Sequence, residues 1–232
     1  MSVTEAFEKL SRGLYVLIRE ASNARNLDTL LPLITPATSR RICFCTDDRT
    51  PGDLVEQGSI DHMLRTAISA GVEPVEAFRL CTLNPAEWFR LYDRGAIAPG
   101  RVADLFVFDD LRKPVARRVF RAGEEVTASS FNNDTGPVRL RDTFRATLTD
   151  LNFDIVARSS RVRVIGSRAD QLITDARITD ARVVHGMAEA DVSRDLLKMA
   201  VIERHGRSGT RGLGFIQGIG LRRGAIAGTV AH

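Results

Sequence analysis

One short apolar run constrains most strongly what this chain can fold into. Residues 42–46 are apolar or β-prone and contain neither glycine nor proline, and the two cysteines among them count as small hydrophobes. Such a run predicts a short strand that is wholly buried. The strand ends at two adjacent carboxylates, Asp47 and Asp48, and residues 51–53 (Pro-Gly-Asp) are expected to turn the chain away directly afterwards.

The pair of carboxylates at the strand end has two interpretations. Parallel α/β folds place their chemistry at the carboxyl ends of buried strands, which favours a functional site at Asp47 and Asp48. Two like charges this close are costly unless a metal, an arginine or a proton offsets them. In the structural alternative, Asp47 or Asp48 caps the next helix or begins a turn at residues 50–52. Taken alone, an Asp-Asp pair favours the structural alternative.

The flanking segments predict strands that alternate with helices. Residues 13–18 form a second buried strand, which also ends in polar residues, Arg19-Glu20-Ala21-Ser22. Helices are expected at residues 3–10, 27–34, 61–70 and 74–80, and Pro32 kinks or ends the second of them. This alternation predicts parallel β/α units.

The pattern changes to strands from Asp93 onwards. Strands are expected at residues 103–109, 115–120 and 124–126, with a turn at Ala122-Gly123, and later at 162–166, 196–203, 212–221 and 224–227. The polar run at 132–137 is the best linker candidate. We therefore expect three segments, a β/α segment (1–92), a small β segment (93–130) and an α+β domain (138–232).

Composition excludes several classes of function. The net charge of +4 and the pI of about 9.3 could suggest nucleic-acid binding. However, the basic residues are scattered and are not interleaved with aromatic residues, so we expect no nucleic-acid partner. No apolar stretch is long enough for a membrane span, and the start of the chain is not a secretory signal. Three cysteines without a Cys-x-x-Cys pattern are typical of free thiols in the cytoplasm.

Three motifs together resemble one known family. They are Cys-Thr-Asp-Asp-Arg at 45–49, Gly-Ser-Ile-Asp-His at 58–62, and Gly-Ala-Ile-Ala-Pro-Gly-Arg-Val-Ala-Asp-Leu at 95–105. Their succession resembles the end of an amidohydrolase-superfamily metal hydrolase, and most closely the bacterial adenine deaminases. The third motif is shared across much of the superfamily, whereas the first two point to the adenine deaminases. Residues 138–232 also resemble the carboxy-terminal domain particular to that family.

The resemblance implies a fold of which this chain supplies only part. Residues 1–92 would hold strands seven and eight of a TIM-like β/α barrel whose first six strands are absent, since about 90 residues cannot close a barrel that needs about 250. Residues 93–130 would belong to the small β-sandwich that flanks the barrel. Residues 138–232 would form a truncated α+β domain, and Met1 would be an interior or late start.

The resemblance also implies a reaction, the hydrolytic deamination of adenine to hypoxanthine and ammonia. A carboxylate at the end of the eighth strand would ligate a divalent metal, accept a proton from water and return it to the departing nitrogen. That position matches Asp47, with Asp48 second. Two manganese or iron ions and a homo-oligomer are expected of the intact family fold. Ser59, Asp61 and His62 are candidates for the substrate pocket.

The residues leave other functions open. The chain has four histidines and no His-x-His or His-x-x-x-His pattern, so a complete ligand set for a metal is not evident in this sequence. The chain could be a fragment of another cyclic amidohydrolase or deaminase, or a non-catalytic interaction module. Alone, the chain is expected to be inactive.

Overall fold

In the computed structural model, the chain divides into two compact units, Met1–Thr135 and Gly136–His232. The structure describes residues 2–131, 143, 145, 152–205 and 210–228. Each unit has its own cluster of buried apolar side chains. Helices and strands together make this a mixed α/β protein.

The first unit is built around two parallel strands, β1 (Val16–Arg19) and β2 (Ile42–Cys45). Ile42, Cys43 and Phe44 are all buried, so side chains on both faces of β2 are covered. This is typical of parallel strands, which need a cover on each face. The predicted buried strand and its parallel pairing are therefore confirmed.

Among the described residues of the first unit, six α-helices accompany this sheet. Their bounds are α1 (Val3–Ser11), α2 (Leu27–Leu30), α3 (Pro51–Glu56), α4 (Ile60–Ser69), α5 (Pro74–Cys81) and α6 (Leu83–Trp88). A 3₁₀ turn, Leu31–Leu33, continues α2, because Pro32 lacks the amide hydrogen that an α-helix requires. Side chains from α1, α2, α4 and α5 form one buried cluster with β1 and β2.

The turn expected at residues 51–53 is wrong, because these residues begin α3. Thr50 is the N-cap residue, and its side chain accepts a hydrogen bond from the amide of Asp53 at 3.3 Å. Pro51 is the first helical residue, where a missing amide hydrogen costs nothing. Thr50, rather than Asp47 or Asp48, therefore caps α3.

After the helices, the chain of the first unit forms an antiparallel sheet of three strands. It contains β3 (Leu105–Val107), β4 (Arg118–Arg121) and β5 (Glu124–Glu125) in that order. The expected turn between β4 and β5 is confirmed, with Ala122 and Gly123 at φ values of 51° and 87°. Positive φ at both central residues is the geometry that suits a tight hairpin.

In the second unit, the described residues form strands and one short 3₁₀ turn, Val192–Arg194. The strands are β6 (Arg161–Gly166), β7 (Asp175–Asp180), β8 (Arg182–Val184), β9 (Met187–Glu189), β10 (Leu197–Ile202) and β11 (Arg211–Gln217). Four of them make a sheet in the order β10-β11-β6-β7, where β11 and β6 are parallel and the other pairs are antiparallel. β8 and β9 pair separately.

Some expectations for the later part of the chain are corrected or stay open. Residues 224–227 are not a strand, because no neighbour pairs with them among the described residues. No α-helix occurs within residues 152–205 and 210–228, so these residues do not supply the helical part of an α+β domain. The proposed linker, 132–137, lies outside the described residues, and the division into three segments stays a prediction. In the described part of the chain, no helix has the length and apolar character that crossing a membrane requires.

Candidate functional site at the carboxyl ends of β1 and β2

The register of the two parallel strands brings their carboxyl ends together. Arg19 lies opposite Cys45, and the amide of Glu20 donates a hydrogen bond to the Cys45 carbonyl at 2.9 Å. Beyond the strands, the amide of Ser22 donates to the carbonyl of Asp48 at 3.1 Å. The segment after β1 is thus joined to the segment that carries both aspartates.

Arg19 contacts both carboxylates. Its Nη1 lies 3.0 Å from Oδ2 of Asp47, and its Nη2 donates a hydrogen bond to Oδ1 of Asp48 at 2.6 Å. The arginine side chain is 22% exposed, while those of Asp47 and Asp48 are 58% and 48% exposed. In the described structure, an arginine therefore offsets the repulsion between the two carboxylates.

Asp47 has an unusual backbone conformation. Its φ is 64°, in the left-handed region that is uncommon for residues other than glycine and in which asparagine, aspartate and histidine are enriched. A left-handed aspartate costs on the order of 1 kcal/mol. Because Asp47 lies two residues after the end of β2, this conformation sets the direction in which the chain presents the Asp47 carboxylate.

Glu20 is a further acidic group at this edge and is buried. Its Oε2 accepts a hydrogen bond from the amide of Leu27 at 3.1 Å. Burial raises the pKa of Glu20, and the Leu27 hydrogen bond and the charge of Arg25 offset part of that rise. Glu20 thus ties the end of β1 to the start of α2.

A polar cluster fixes the start of α3 beside the same strand end. The hydroxyl of Ser22 donates to the carboxylate of Asp53 and accepts the amide of Thr50 at 2.8 Å. Arg25 lies 3.8 Å from the carboxylate of Asp53. The Ser22 hydrogen bond is the main cause that lowers the pKa of Asp53. Arg49, just after Asp48, donates to the side chain of Gln57 at 2.6 Å.

The three substrate-pocket candidates lie at the start of α4. Oδ1 of Asp61 accepts the amide of Ser59 at 2.7 Å, and Oδ2 accepts Arg65 at 2.7 Å. Burial raises the pKa of Asp61, but these two hydrogen bonds outweigh it, so the pKa lies below its usual value. Both contacts stabilise the helix start, which is a structural task for Asp61 and Ser59. Their part in a pocket stays a prediction.

His62 is the candidate that the structure connects electrostatically to the strand ends. Burial lowers the pKa of His62 most, and the charges of Arg49 and Arg65 lower it further. The imidazole is therefore biased towards its neutral form. A neutral ring can accept a hydrogen bond at one nitrogen and donate one at the other.

The described residues do not make a complete metal site. They contain no group of three or more His, Cys, Asp or Glu side chains that could hold a metal ion. Burial raises the pKa values of Cys43 and Cys81 to about 12, so these thiols stay protonated and are poor ligands. The available donors at this edge are the carboxylate oxygens of Asp47 and Asp48, a type that suits divalent cations such as manganese.

Sequence reasoning did not find the parts of this site that depend on distant contacts. It noted polar residues after β1 but did not predict that Arg19 would bridge the two aspartates 28 and 29 positions away. It predicts no contact for Ser22, and it places Asp53 in a turn without predicting its contacts with Ser22 and Arg25. The position of Arg19 at a strand end is a signal that it lies near Asp47 and Asp48, because neighbouring parallel strands end at the same edge of a sheet.

Two family models match the chain. Residues 18–149 match the Amidohydrolase family, and residues 171–232 match the Adenine deaminase C-terminal domain. The first match begins within β1 and includes β2 and the site at the ends of the two strands.

Several curated relatives align with almost the whole chain. An adenine deaminase of Sinorhizobium fredii is 42% identical over 233 residues, which are 100% of this chain and 41% of that relative. An adenine deaminase of Cereibacter sphaeroides is 45% identical over 231 residues, 98% of this chain and 41% of the relative. A solved amidohydrolase from Thermotoga maritima is 27% identical over 44% of this chain and 25% of its own, with a TM-score of 0.33. The chain thus spans about 41% of the length of these curated relatives.

Proposed function

Because the chain belongs to the amidohydrolase family, we propose that it forms the carboxy-terminal part of an adenine deaminase. The reaction would be the hydrolysis of adenine to hypoxanthine and ammonia, as the names of the relatives suggest. One observation of the structure carries this proposal. Two parallel strands end side by side, and the one that ends in Cys-Thr-Asp-Asp-Arg presents Asp47 from an exposed, left-handed position.

Within this reaction, we assign the proton transfers to Asp47. A carboxylate can accept a proton from the attacking water and return it to the departing nitrogen, so one group serves both steps. Asp47 suits this task because more than half of its side chain is exposed, whereas Asp48 accepts a hydrogen bond from Arg19.

Amidohydrolases generally use divalent metals, and Asp47 would supply one oxygen ligand. Since the described residues hold no set of three ligands, further ligands would have to come from elsewhere in the intact protein. Such a metal, when bound, supplies hydroxide near neutral pH by lowering the pKa of water. The strand pair would occupy the positions of strands seven and eight in a TIM-like barrel, and β3–β5 would belong to a flanking sandwich.

The proposal is tested by ammonia release from adenine. The first protein is the 232-residue chain, and the second is a chimera in which this chain replaces the matching 41% of the Sinorhizobium fredii relative. With added manganese, we expect turnover by the chimera and none by the chain, because one or two carboxylates bind a metal weakly. Turnover by the chain alone would overturn the need for outside ligands.

A panel of substrates separates adenine deaminase from related hydrolases. We expect the chimera to release ammonia from adenine and to leave cytosine and dihydroorotate unchanged. Equal or faster hydrolysis of either of these compounds would favour another cyclic amidohydrolase. A folded chimera that acts on none of the three would favour a non-catalytic interaction module.

A further inference from the structure

We propose that Arg19 is a positioning residue that clamps Asp48, so that Asp47 alone is left to react. The inference rests on the proposed function and divides the work between two adjacent carboxylates. Asp48 would orient the segment after β2 and take no part in proton transfer. The pair would thus act as one fixed carboxylate and one reactive carboxylate.

The contacts of the two aspartates differ in a way that supports this division. Asp48 accepts a hydrogen bond from Nη2 of Arg19 at 2.6 Å, and its carbonyl accepts the amide of Ser22 at 3.1 Å. Asp47 has an ion pair with Arg19 at the longer distance of 3.0 Å and is the more exposed of the two. Asp48 is therefore tied through both its backbone and its side chain.

Arg19 is well placed to act as the fixed point. Its backbone belongs to β1, whose pairing with β2 sets its position relative to Cys45. Its side chain is mostly covered, and within the described residues its Nε is buried without a hydrogen-bond partner. The guanidinium is oriented so that its two terminal nitrogens meet the two carboxylates.

The clamp would hold the backbone of Asp47 in its left-handed conformation. With φ at 64°, this residue is in a conformation that persists only when its surroundings hold it. β2 ends two residues before Asp47, and the contacts of Asp48 hold the residue that follows it. When the clamp is removed, Asp47 is free to relax to an extended conformation, and its carboxylate moves away from the reacting atoms.

The kinetic test uses the chimera. Arg19→Met should lower kcat on the order of 100-fold, because a displacement of about 1 Å has that effect on a positioned group, and KM should change less than about twofold. Asp48→Ala should give a similar loss, and the double variant should lose no more than either single variant. Arg19→Lys should recover about tenfold of the loss, because lysine keeps the charge but lacks the planar fork.

Arg41→Met is the matched control. Arg41 directly precedes β2, at the opposite end of the strand from Asp47, and donates a hydrogen bond to the carbonyl of Gly13 at 2.8 Å. We expect its kcat to stay within about twofold of the parent, since no positioned carboxylate depends on it. An unchanged kcat in Arg19→Met, or a loss as large in Arg41→Met, would overturn the clamp.

A spectroscopic test on the 232-residue chain does not depend on activity. In the parent chain and in Asp47→Ala, the two terminal nitrogens of Arg19 should give separate NMR signals, because the contact with Asp48 hinders rotation of the guanidinium. In Asp48→Ala these signals should merge, and the backbone shifts of Asp47 should move from left-handed towards extended values. Separate signals and unchanged Asp47 shifts in Asp48→Ala would overturn the clamp. If the chimera fails to deaminate adenine, the proposed function fails, and this test alone decides the clamp.

Discussion

At the scale of single residues, Asn84 is the buried polar side chain with the clearest structural task. It lies in α6 and donates hydrogen bonds from Nδ2 to the carbonyls of Ser39 and Ile42, both at 2.7 Å. These bonds connect α6 to the start of β2. Asn84 thus stabilises the end of the strand opposite Asp47.

Replacing Asn84 with alanine should lower the free energy of unfolding. Two buried carbonyls lose their donor, which costs about 2–3 kcal/mol. The measurement is urea unfolding followed by the fluorescence of Trp88, the only tryptophan, which lies in the same unit. The exposed Asn23 is the matched control, and Asn23→Ala should change stability by less than about 0.5 kcal/mol. Equal stabilities of the two variants would contradict this role.

Glu20 makes the stability of the first unit depend on pH. Burial raises its pKa, so the folded state binds a proton more tightly than the unfolded state does. Its contribution to stability is therefore greatest at low pH, and is lost as pH rises through the unfolded and then the raised folded pKa. Above that pH range, the buried charge of Glu20 lowers the free energy of unfolding.

Glu20→Gln should therefore be more stable than the parent at pH 7. The difference should disappear below a pH of about 4, where the glutamate is protonated in both states. Urea unfolding at several pH values measures this, with Glu56→Gln as the control because Glu56 is exposed. A gain that is the same at all pH values would show that burial of the charge is not its cause.

At the scale of elements, the sequence predicts what local pattern determines. β2 was found because its apolar run ends abruptly, and α4 and α5 because apolar residues recur at helical spacing. α3 was missed because Pro51-Gly52 is as typical of a turn as of a helix start, and Thr50 decides between them by capping. β7 has the polar sequence Asp-Ala-Arg-Ile-Thr-Asp, so pairing with β6 creates this strand rather than its own apolar character.

The candidate site was predictable in part for the same reason. The parallel pairing of β1 with β2 follows from the alternation of strands and helices, and it brings polar residues to one edge. The bridge from Arg19 to Asp47 and Asp48 requires the register of two strands and the rotamer of one arginine. Neither is encoded by local sequence, because each depends on contacts between residues far apart in the chain.

The packing of α5 provides a test at the element scale. Leu80 is 0% exposed and belongs to the cluster around β1 and β2. Leu80→Ala should lower the free energy of unfolding by about 2–5 kcal/mol, since it removes buried methyl groups and leaves a cavity. Val55→Ala, at a position 86% exposed in α3, should change it by less than about 0.5 kcal/mol. A loss under about 1 kcal/mol for Leu80→Ala would show that α5 packs differently.

For the whole molecule, the two compact units meet in sequence between Thr135 and Gly136. Residues 132–137 are all polar or turn-forming, and exposed polar turns are preferred sites of proteolysis. Limited digestion with a protease of broad specificity should therefore cut first in this run and release two fragments. Mass spectrometry identifies the cut, and a first cut within α4 or β10 would contradict the proposed linker.

In the proposed adenine deaminase, Asp47 is the reacting carboxylate. The most direct measurement is hypoxanthine formation from adenine by the manganese-loaded chimera, compared with its Asp47→Asn and Asp109→Asn variants. Asp109 is a suitable control because it is an aspartate of the same unit, is 67% exposed and is paired with Arg117 at 2.7 Å. The account predicts turnover by the chimera and by Asp109→Asn, and a loss of at least about 100-fold in Asp47→Asn. Turnover by Asp47→Asn at the rate of the parent chimera would contradict it.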